Sequence, residues 1–317
     1  MRIARWESGA GVVGEGFVID DRVVPFPEGL TVADVLRRGL AETHSLFERV
    51  TDAGEPLAEV RLLAPVVPAS VRDFVAFEEH VEGVSAGVEG KSHVADEWYE
   101  FPTFYFTSPH TIQAPGATIT PPVTARLDFE LEVAAVLSTR GSNLSAEEGE
   151  DAIFGYTIMN DWSARDLQAR EMQVRLGPCK GKDFATSLGP WIVTPDELEP
   201  YRDADGFLAL RAEAYINDEL VGEDLVSNMG WPFGELVAYA SRASVVVPGD
   251  VLGSGTVGNG GCLGELWGRG SALPPLAEGD EVRMRVEGLG ELVGRVGAAV
   301  EPPAIPRARE RTRSRRR

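Results

Sequence analysis

Seven short apolar runs, rich in β-branched residues, follow one another from Thr118 to Glu287, with clusters of Gly and Pro between them. They are Thr118–Ile119, Leu127–Leu137, Ile153–Met159, Trp191–Val193, Leu208–Ile216, Ser244–Val247 and Val282–Glu287. Runs of this length with this punctuation read as strands. Convincing helices are few. Ser145 stands three residues before Glu148, the spacing of a capping box at the head of Ser145–Ala152, and Phe233–Arg242 is a second candidate. Many strands with few helices predict a β-rich α+β fold with a mixed, rolled or barrel-like sheet.

Ahead of these runs, Ile3–Trp6 and Phe17–Ile19 alternate with turn residues and read as small strands and hairpins. A helix follows, with Thr31 as its N-cap and Val32, Val35, Leu36 and Leu40 on one face. After a strand at Val60–Leu63, the Pro65–Pro68 stretch reads as a linker. The expected organisation is therefore a small β-rich N-terminal domain over residues 1–65, a catalytic domain over 66–303 and a basic tail over 304–317. The tail carries seven arginines against one acid, Glu310. A basic arm can bind nucleic acid or an acidic neighbour, but without aromatic residues or apolar periodicity this one reads as solvated and poorly ordered.

A formal net charge of -20 argues against a polyanionic partner, nucleic acid or anionic membrane, along most of the surface. No apolar run approaches the ~18 residues of a membrane span, so the chain is expected to be cytoplasmic. The two cysteines, Cys179 and Cys262, form no C-x-x-C pair and have no histidine pair near them in sequence, which indicates neither a disulfide framework nor a zinc site. Gly253–Gly261 is glycine-rich but lacks the Lys-Ser/Thr and following helix of a phosphate loop.

In Leu127–Val136 the odd positions are apolar and the acids Asp128, Glu130 and Glu132 share one strand face. Such a stripe is ordinarily a solvated face. Here Ala134 and Val136 make the same face apolar two residues on, so part of it is buried, and carboxylates ~6.6 Å apart repel there unless a cation offsets them. Asp161 ends the apolar run Ile153–Met159, either as a surface acid with a salt bridge or as a further ligand. Arg165 and Gln168 then share a helical face beside it. Lys182 adds a cation. Asp73 and His80 lie seven residues apart, a small-residue segment from Gly83 to Gly90 reads as a lid, and Glu265 can orient a histidine.

Four ordered strings resemble the fumarylacetoacetate hydrolase family: Asp-Phe-Glu-Leu-Glu at 128–132, Met-Asn-Asp-Trp-Ser-Ala-Arg-Asp-x-Gln at 159–168, Leu-Gly-Pro-x-x-Gly-Lys at 176–182 and Ser-Gly-Thr at 254–256. The resemblance implies Glu130, Glu132 and Asp161 as metal ligands, with Asp73 as the fourth ligand of the fumarylacetoacetase-like branch. It implies His80 and Glu265 as the pair that activates water, Lys182, Arg165 and Gln168 around the oxyanion, and Thr256 against the substrate. A homodimer is implied as well. An all-oxygen site suits a hard cation, Mg²⁺ foremost, with Mn²⁺ or Ca²⁺ as alternatives.

The expected reaction is metal-dependent hydrolysis of a carbon–carbon bond in a β-diketo acid resembling fumarylacetoacetate or an acylpyruvate. The alternative keeps the metal and changes the chemistry to decarboxylation, isomerisation or hydration of β-keto acids or 2-hydroxydienoates. A non-catalytic binding descendant is disfavoured because no ligand position is visibly lost. Met172, and Tyr105–Ser108 in place of a Tyr-His-Gly-Arg string, depart from the animal enzymes, so the residues that would grip the far carboxylate of fumarylacetoacetate are not matched.

Overall fold

The computed structural model describes residues 1–89 and 92–310. The chain opens with β1 (Arg2–Glu7), β2 (Val13–Ile19) and β3 (Arg22–Pro25), crosses α1 (Val32–Arg38) and α2 (Leu40–Phe47), and returns as β4 (Glu55–Pro56) and β5 (Arg61–Leu63). Thr31 caps α1: its hydroxyl accepts from the Asp34 amide while the Asp34 carboxylate accepts from the Thr31 amide. Then come β6 (Ser70–Phe74), α3 (Glu78–Glu89), β7 (Phe104–Thr107), β8 (Ile112–Gln113) and β9 (Thr118–Ile119). The middle of the chain forms β10 (Leu127–Asp128), β11 (Leu131–Leu137), α4 (Ala146–Asp151), β12 (Ile153–Asp161), β13 (Ser163–Ala164), α5 (Arg165–Met172) and β14 (Thr186–Val193). It ends with α6 (Pro195–Leu198), β15 (Arg211–Ile216), β16 (Glu219–Leu225), α7 (Phe233–Ser241), β17 (Asp250–Gly253), α8 (Leu263–Gly268), β18 (Glu281–Val286) and β19 (Gly290–Val296).

A 12-stranded sheet runs β4-β3-β2-β1-β14-β12-β11-β17-β6-β7, with β5 beside β1 and β8 beside β14. A 5-stranded sheet runs β16-β15-β18-β19-β9, and β10 pairs with β13. This is the β-rich α+β architecture the sequence predicts, but the barrel-like closure is not observed: the described strands leave both sheets open, the larger between β4 and β7. The expected boundary at residue 65 falls between β5 and β6, and β1 crosses it to pair with β14, Arg2 opposite Val193 and Ile3 opposite Ile192.

β11 and β12 are buried along their whole lengths. Val133, Ala135 and Leu137 enter one core with Tyr156, Ile158 and Phe233, whereas Ala134 and Val136 enter the other with Phe154, Met159 and Leu188. Covered on both faces, these strands read as continuous apolar runs rather than as alternation. At about 1.5–3 kcal/mol for each large apolar side chain removed from water, this pair anchors the elements that carry the acids.

Three local expectations are corrected. Leu127–Leu137 is not one strand: regular pairing breaks at Phe129–Glu130, so Asp128 is turned away from Glu132. Gly83 to Glu89 belongs to α3 rather than to a lid, and Gly90 lies outside the described residues. A helix does follow the glycine-rich stretch, but the first amides of α8 are already taken, those of Leu263 and Gly264 by the Asp128 carboxylate. In the tail, residues 304–310 are exposed without regular structure, and 311–317 lie outside the described residues. Among the described residues, no helix is long and apolar enough to cross a membrane.

Candidate active site

Four neighbouring strands bring the acids together. β6 pairs in parallel with β17, placing Asp73 beside Gly253, and β11 pairs antiparallel with β17, placing Ala134 on the other side of Gly253. The glycine keeps the space open: a Cβ there would lie 2.7 Å from both Asp73 Oδ1 and Glu132 Oε2 and 2.6 Å from Met159 Cε. Glu130 occupies the break before β11, where its amide takes Asn160 Oδ1 at 3.1 Å and its carbonyl accepts from the Asp161 amide at 3.2 Å. Asp161 thus ends β12 next to Glu130. Asp73, Glu130, Glu132 and Asp161 are all at most 3% exposed.

Three side chains partly balance this charge. Lys182 Nζ bonds Glu130 and lies 2.7 Å from Asp161 Oδ2. Arg165 bridges Asp128 Oδ2 and Glu130 Oε1, at 2.7 Å to each, and reaches Gln168 Oε1 at 3.2 Å through its remaining nitrogen. The Tyr105 hydroxyl donates to Asp161, from a position directly opposite Asp73 in the β6–β7 pair. Burial opposes ionisation of Glu130, but Arg165 and Lys182 prevail and hold it well below the ordinary carboxylate range. The other acids go the opposite way. Burial lifts Asp161 to about 8 against the pull of Lys182, lifts Asp73, and lifts Glu132 well above its ordinary value with further repulsion from Asp73. Two local cations therefore leave four carboxylates under-compensated.

The deficit is visible atom by atom. Asp73 Oδ1, Glu132 Oε1 and Asp161 Oδ1 are buried without a hydrogen-bond partner. Unpaired buried carboxylate oxygens are costly. Asp73, Glu130 and Glu132 also offer oxygens that all lie within 4.8 Å of one another. An all-oxygen donor set of this kind fits a hard divalent cation, with Asp161 adjoining it through its free oxygen. His80, Glu130 and Cys262 form a second close group, with Cys262 Sγ 3.6 Å from Nδ1 and Glu130 Oε1 3.9 Å from Nε2. That group mixes a thiol, an imidazole and one carboxylate, whereas the first is all carboxylate oxygen, so the first group is the better site for a hard cation.

His80 is set in the first turn of α3, 7% exposed, and burial lowers its pKa to about 4 despite the neighbouring Glu130. Glu265 is on α8 with Oε2 4.0 Å from His80 Nδ1, beyond hydrogen-bond range, and burial raises its pKa to about 7. Thr256 is buried in the segment that hydrogen-bonds along β11, between Ser254, whose amide donates to Val133, and Val257, whose amide donates to Leu131. Its neighbour Gly255 donates to Glu132 Oε2 at 3.2 Å. All ten residues given metal, catalytic or substrate roles from the sequence thus fall in or around one region, with Arg165 paired to Asp128 and Glu130. Sequence reasoning did not place Tyr105 or Cys262 there, and it gave Asp128 the same strand face as Glu130 and Glu132 rather than the role it has. Spacing carries no signal for Tyr105 and Cys262, because long-range strand and helix packing delivers them. Asp128 is a buried acceptor for Arg165 and for the amides of Phe129, Leu263 and Gly264.

The chain belongs to the fumarylacetoacetate hydrolase family, with residues 69–297 matching the family model described as Fumarylacetoacetate (FAA) hydrolase C-terminal. It is 28% identical to the fumarylacetoacetase of Arabidopsis thaliana over 76% of this chain and 74% of that one. It is 29% identical to the oxaloacetate tautomerase YisK of Bacillus subtilis, again over 76% and 74% of the two chains. A solved structure of 5-carboxymethyl-2-hydroxymuconate delta-isomerase from Mycobacterium smegmatis is 25% identical and superposes with a TM-score of 0.67, covering 94% of this chain and 100% of that one. These relatives are named for different reactions, so membership defines a family of enzymes and leaves the reaction open.

Proposed function

We propose that this chain is a divalent-metal-dependent hydrolase that cleaves a carbon–carbon bond in a β-diketo acid of the acylpyruvate or fumarylacetoacetate type. The observation that carries the reading is the set of unpartnered, buried oxygens on Asp73, Glu132 and Asp161 next to a buried, neutral histidine. Asp73, Glu130, Glu132 and Asp161 would hold the cation, a hard divalent ion suited to oxygen donors, with Mg²⁺ as the first candidate and Mn²⁺ or Ca²⁺ as substitutes. When bound, the cation supplies the positive charge that stabilises negative charge developing on a 1,3-dicarbonyl group.

The protein's own groups do the rest. His80 accepts a proton from water at Nε2, the nitrogen facing Glu130, and the water oxygen forms its new bond to a carbonyl carbon of the substrate. The carbon–carbon bond next to that carbonyl breaks, its electron pair stays with the departing carbon, and the proton held by His80 is available to that product. Glu265 backs the histidine from α8. Lys182 and Arg165 place two positive charges beside the pocket to stabilise the oxyanion, with Gln168 fixing the guanidinium. Thr256 lines the substrate side. The assembled unit is proposed to be a homodimer, which sedimentation of the purified chain checks.

A second reading, tautomerisation, isomerisation, hydration or decarboxylation of a related keto acid at the same site, is favoured by two observations. The His80–Glu265 pair is open at 4.0 Å, and relatives are named as tautomerase and isomerase. The deciding experiment assays acetylpyruvate, oxaloacetate and a 2-hydroxydienoate with Mg²⁺, for the native chain and for His80→Ala. Hydrolysis predicts turnover of acetylpyruvate that falls by about 10²–10⁴-fold in the variant. Unchanged hydrolysis in His80→Ala, or turnover confined to the other two substrates, transfers the assignment to the second reading.

A further inference from the structure

The His80 ring faces Glu130 with Nε2 and α8 with Nδ1. The carboxylate that would complete a histidine–carboxylate pair stops short: Glu265 Oε2 is 4.0 Å from Nδ1 and is buried with no hydrogen-bond partner. Its other oxygen is held from the far side, by the Gly260 amide at 3.3 Å and Arg269 Nη2 at 3.0 Å. Helix α3 is already pressed against the acid, because a Cβ on Gly83 would lie 2.3 Å from Glu265 Cγ. The polar atom that does touch Nδ1 is Cys262 Sγ, at 3.6 Å.

That sulfur is held in place. Cys262 is fully buried and forms the N-cap of α8, with Sγ accepting from the Glu265 amide at 3.3 Å. A separation of 3.6 Å is a contact distance for sulfur and lies outside the hydrogen-bond range of oxygen. A neutral imidazole carries one donor and one acceptor, so the group touching one nitrogen fixes the state of the other.

On the reading of His80 as the water-activating base, we propose that Cys262 is a positioning residue whose sulfur holds the ring proton on Nδ1, so that Nε2 is presented unprotonated to the carboxylate pocket. The thiol, rather than Glu265, then sets the tautomer in the resting enzyme. Glu265 serves as the more distant negative charge that stabilises the imidazolium formed during turnover.

Serine separates this role from a structural one. A hydroxyl is a better N-cap than a thiol, so a purely structural role for Cys262 predicts that Cys262→Ser is harmless. The shorter carbon–oxygen bond withdraws the acceptor from Nδ1, so positioning predicts a loss. With acetylpyruvate and Mg²⁺, Cys262→Ser and Cys262→Ala are expected to lower kcat by about tenfold while KM changes by less than about twofold, part of the contribution expected of a base. The ¹⁵N shifts of the His80 ring in the metal-free native chain are expected to show the proton on Nδ1, and those of both variants a shift toward Nε2. Native kcat in Cys262→Ser, or a native ring protonated on Nε2, overturns the proposal. Undiminished turnover in His80→Ala overturns the underlying assignment of the base, whereas the ring shifts of the native chain judge the role of the sulfur without any assay.

Discussion

Lys182 places its ammonium between two acids, Glu130 in the break before β11 and Asp161 at the end of β12, bonding the first and standing 2.7 Å from Oδ2 of the second. Burial opposes its charge, yet Asp161 and Glu130 raise its pKa above the ordinary lysine value. The lysine is therefore a built-in counter-ion to the same carboxylates that are proposed to bind a metal.

Removing that charge should expose the competition. Lys182→Met in metal-free buffer is expected to lose about 3 kcal/mol of stability, since breaking a buried pair leaves uncompensated charge behind. Excess Mg²⁺ should recover a large part of the loss. Denaturant titration with and without Mg²⁺ checks this, and an equal deficit in both conditions would separate Lys182 from the cation site.

The metal-free protein should lose stability as pH rises through neutrality. Burial lifts Asp161 from its ordinary 3.8 to about 8, so between those values the folded chain holds a proton that the unfolded chain has released. Stability then falls with rising pH, by at most about 1.4 kcal/mol per pH unit for each such group. Asp73, Glu132 and Glu265 are shifted in the same direction. His80 works the other way, because burial lowers it from 6.5 to about 4, so its effect is confined to acid below 6.5. Between pH 6.5 and 8 the site carboxylates act without that opposition, and the melting temperature in EDTA should decline. Saturating Mg²⁺ should flatten the decline and release protons on binding, measurable by calorimetry in buffers of different ionisation enthalpy. A flat metal-free profile would mean that the acids are already paired.

Gly253 should tolerate no side chain. In Gly253→Ala the new methyl meets Asp73 and Glu132 oxygens at 2.7 Å and Met159 at 2.6 Å, so the acids must move apart. Overpacking of this kind costs about 1–3 kcal/mol. Mg²⁺ affinity, read by calorimetric titration, is expected to fall by at least about tenfold, since 1.4 kcal/mol of lost binding is a factor of ten. Native affinity in this variant would place the cation elsewhere.

Much of the site was legible because its residues sit in short, distinctive strings. Glu130 and Glu132 betrayed themselves as acids in an otherwise apolar strand, and Asp161 as an acid ending a fully apolar one. The two helix caps, Thr31 and Ser145, were equally local and both form capping boxes. The alternation over Leu127–Val136 misled in one respect. It put Asp128 on the same face as Glu132, whereas the break at Phe129–Glu130 sends Asp128 to the amides of α8 and to Arg165. Local periodicity assumes an unbroken strand and cannot register a partner 135 residues away in the chain, such as Leu263.

The sequence by itself determined the β-rich class, the family and the chemical character of the centre, because acids in an apolar setting imply a counter-charge wherever they fold. Only the tertiary structure decided how that charge is divided. It put Lys182 between Glu130 and Asp161, Tyr105 on Asp161, and Cys262 rather than Glu265 against the His80 ring. Those pairings come from strand register and helix packing between distant segments, where separations of a few tenths of an ångström decide which atom serves as partner.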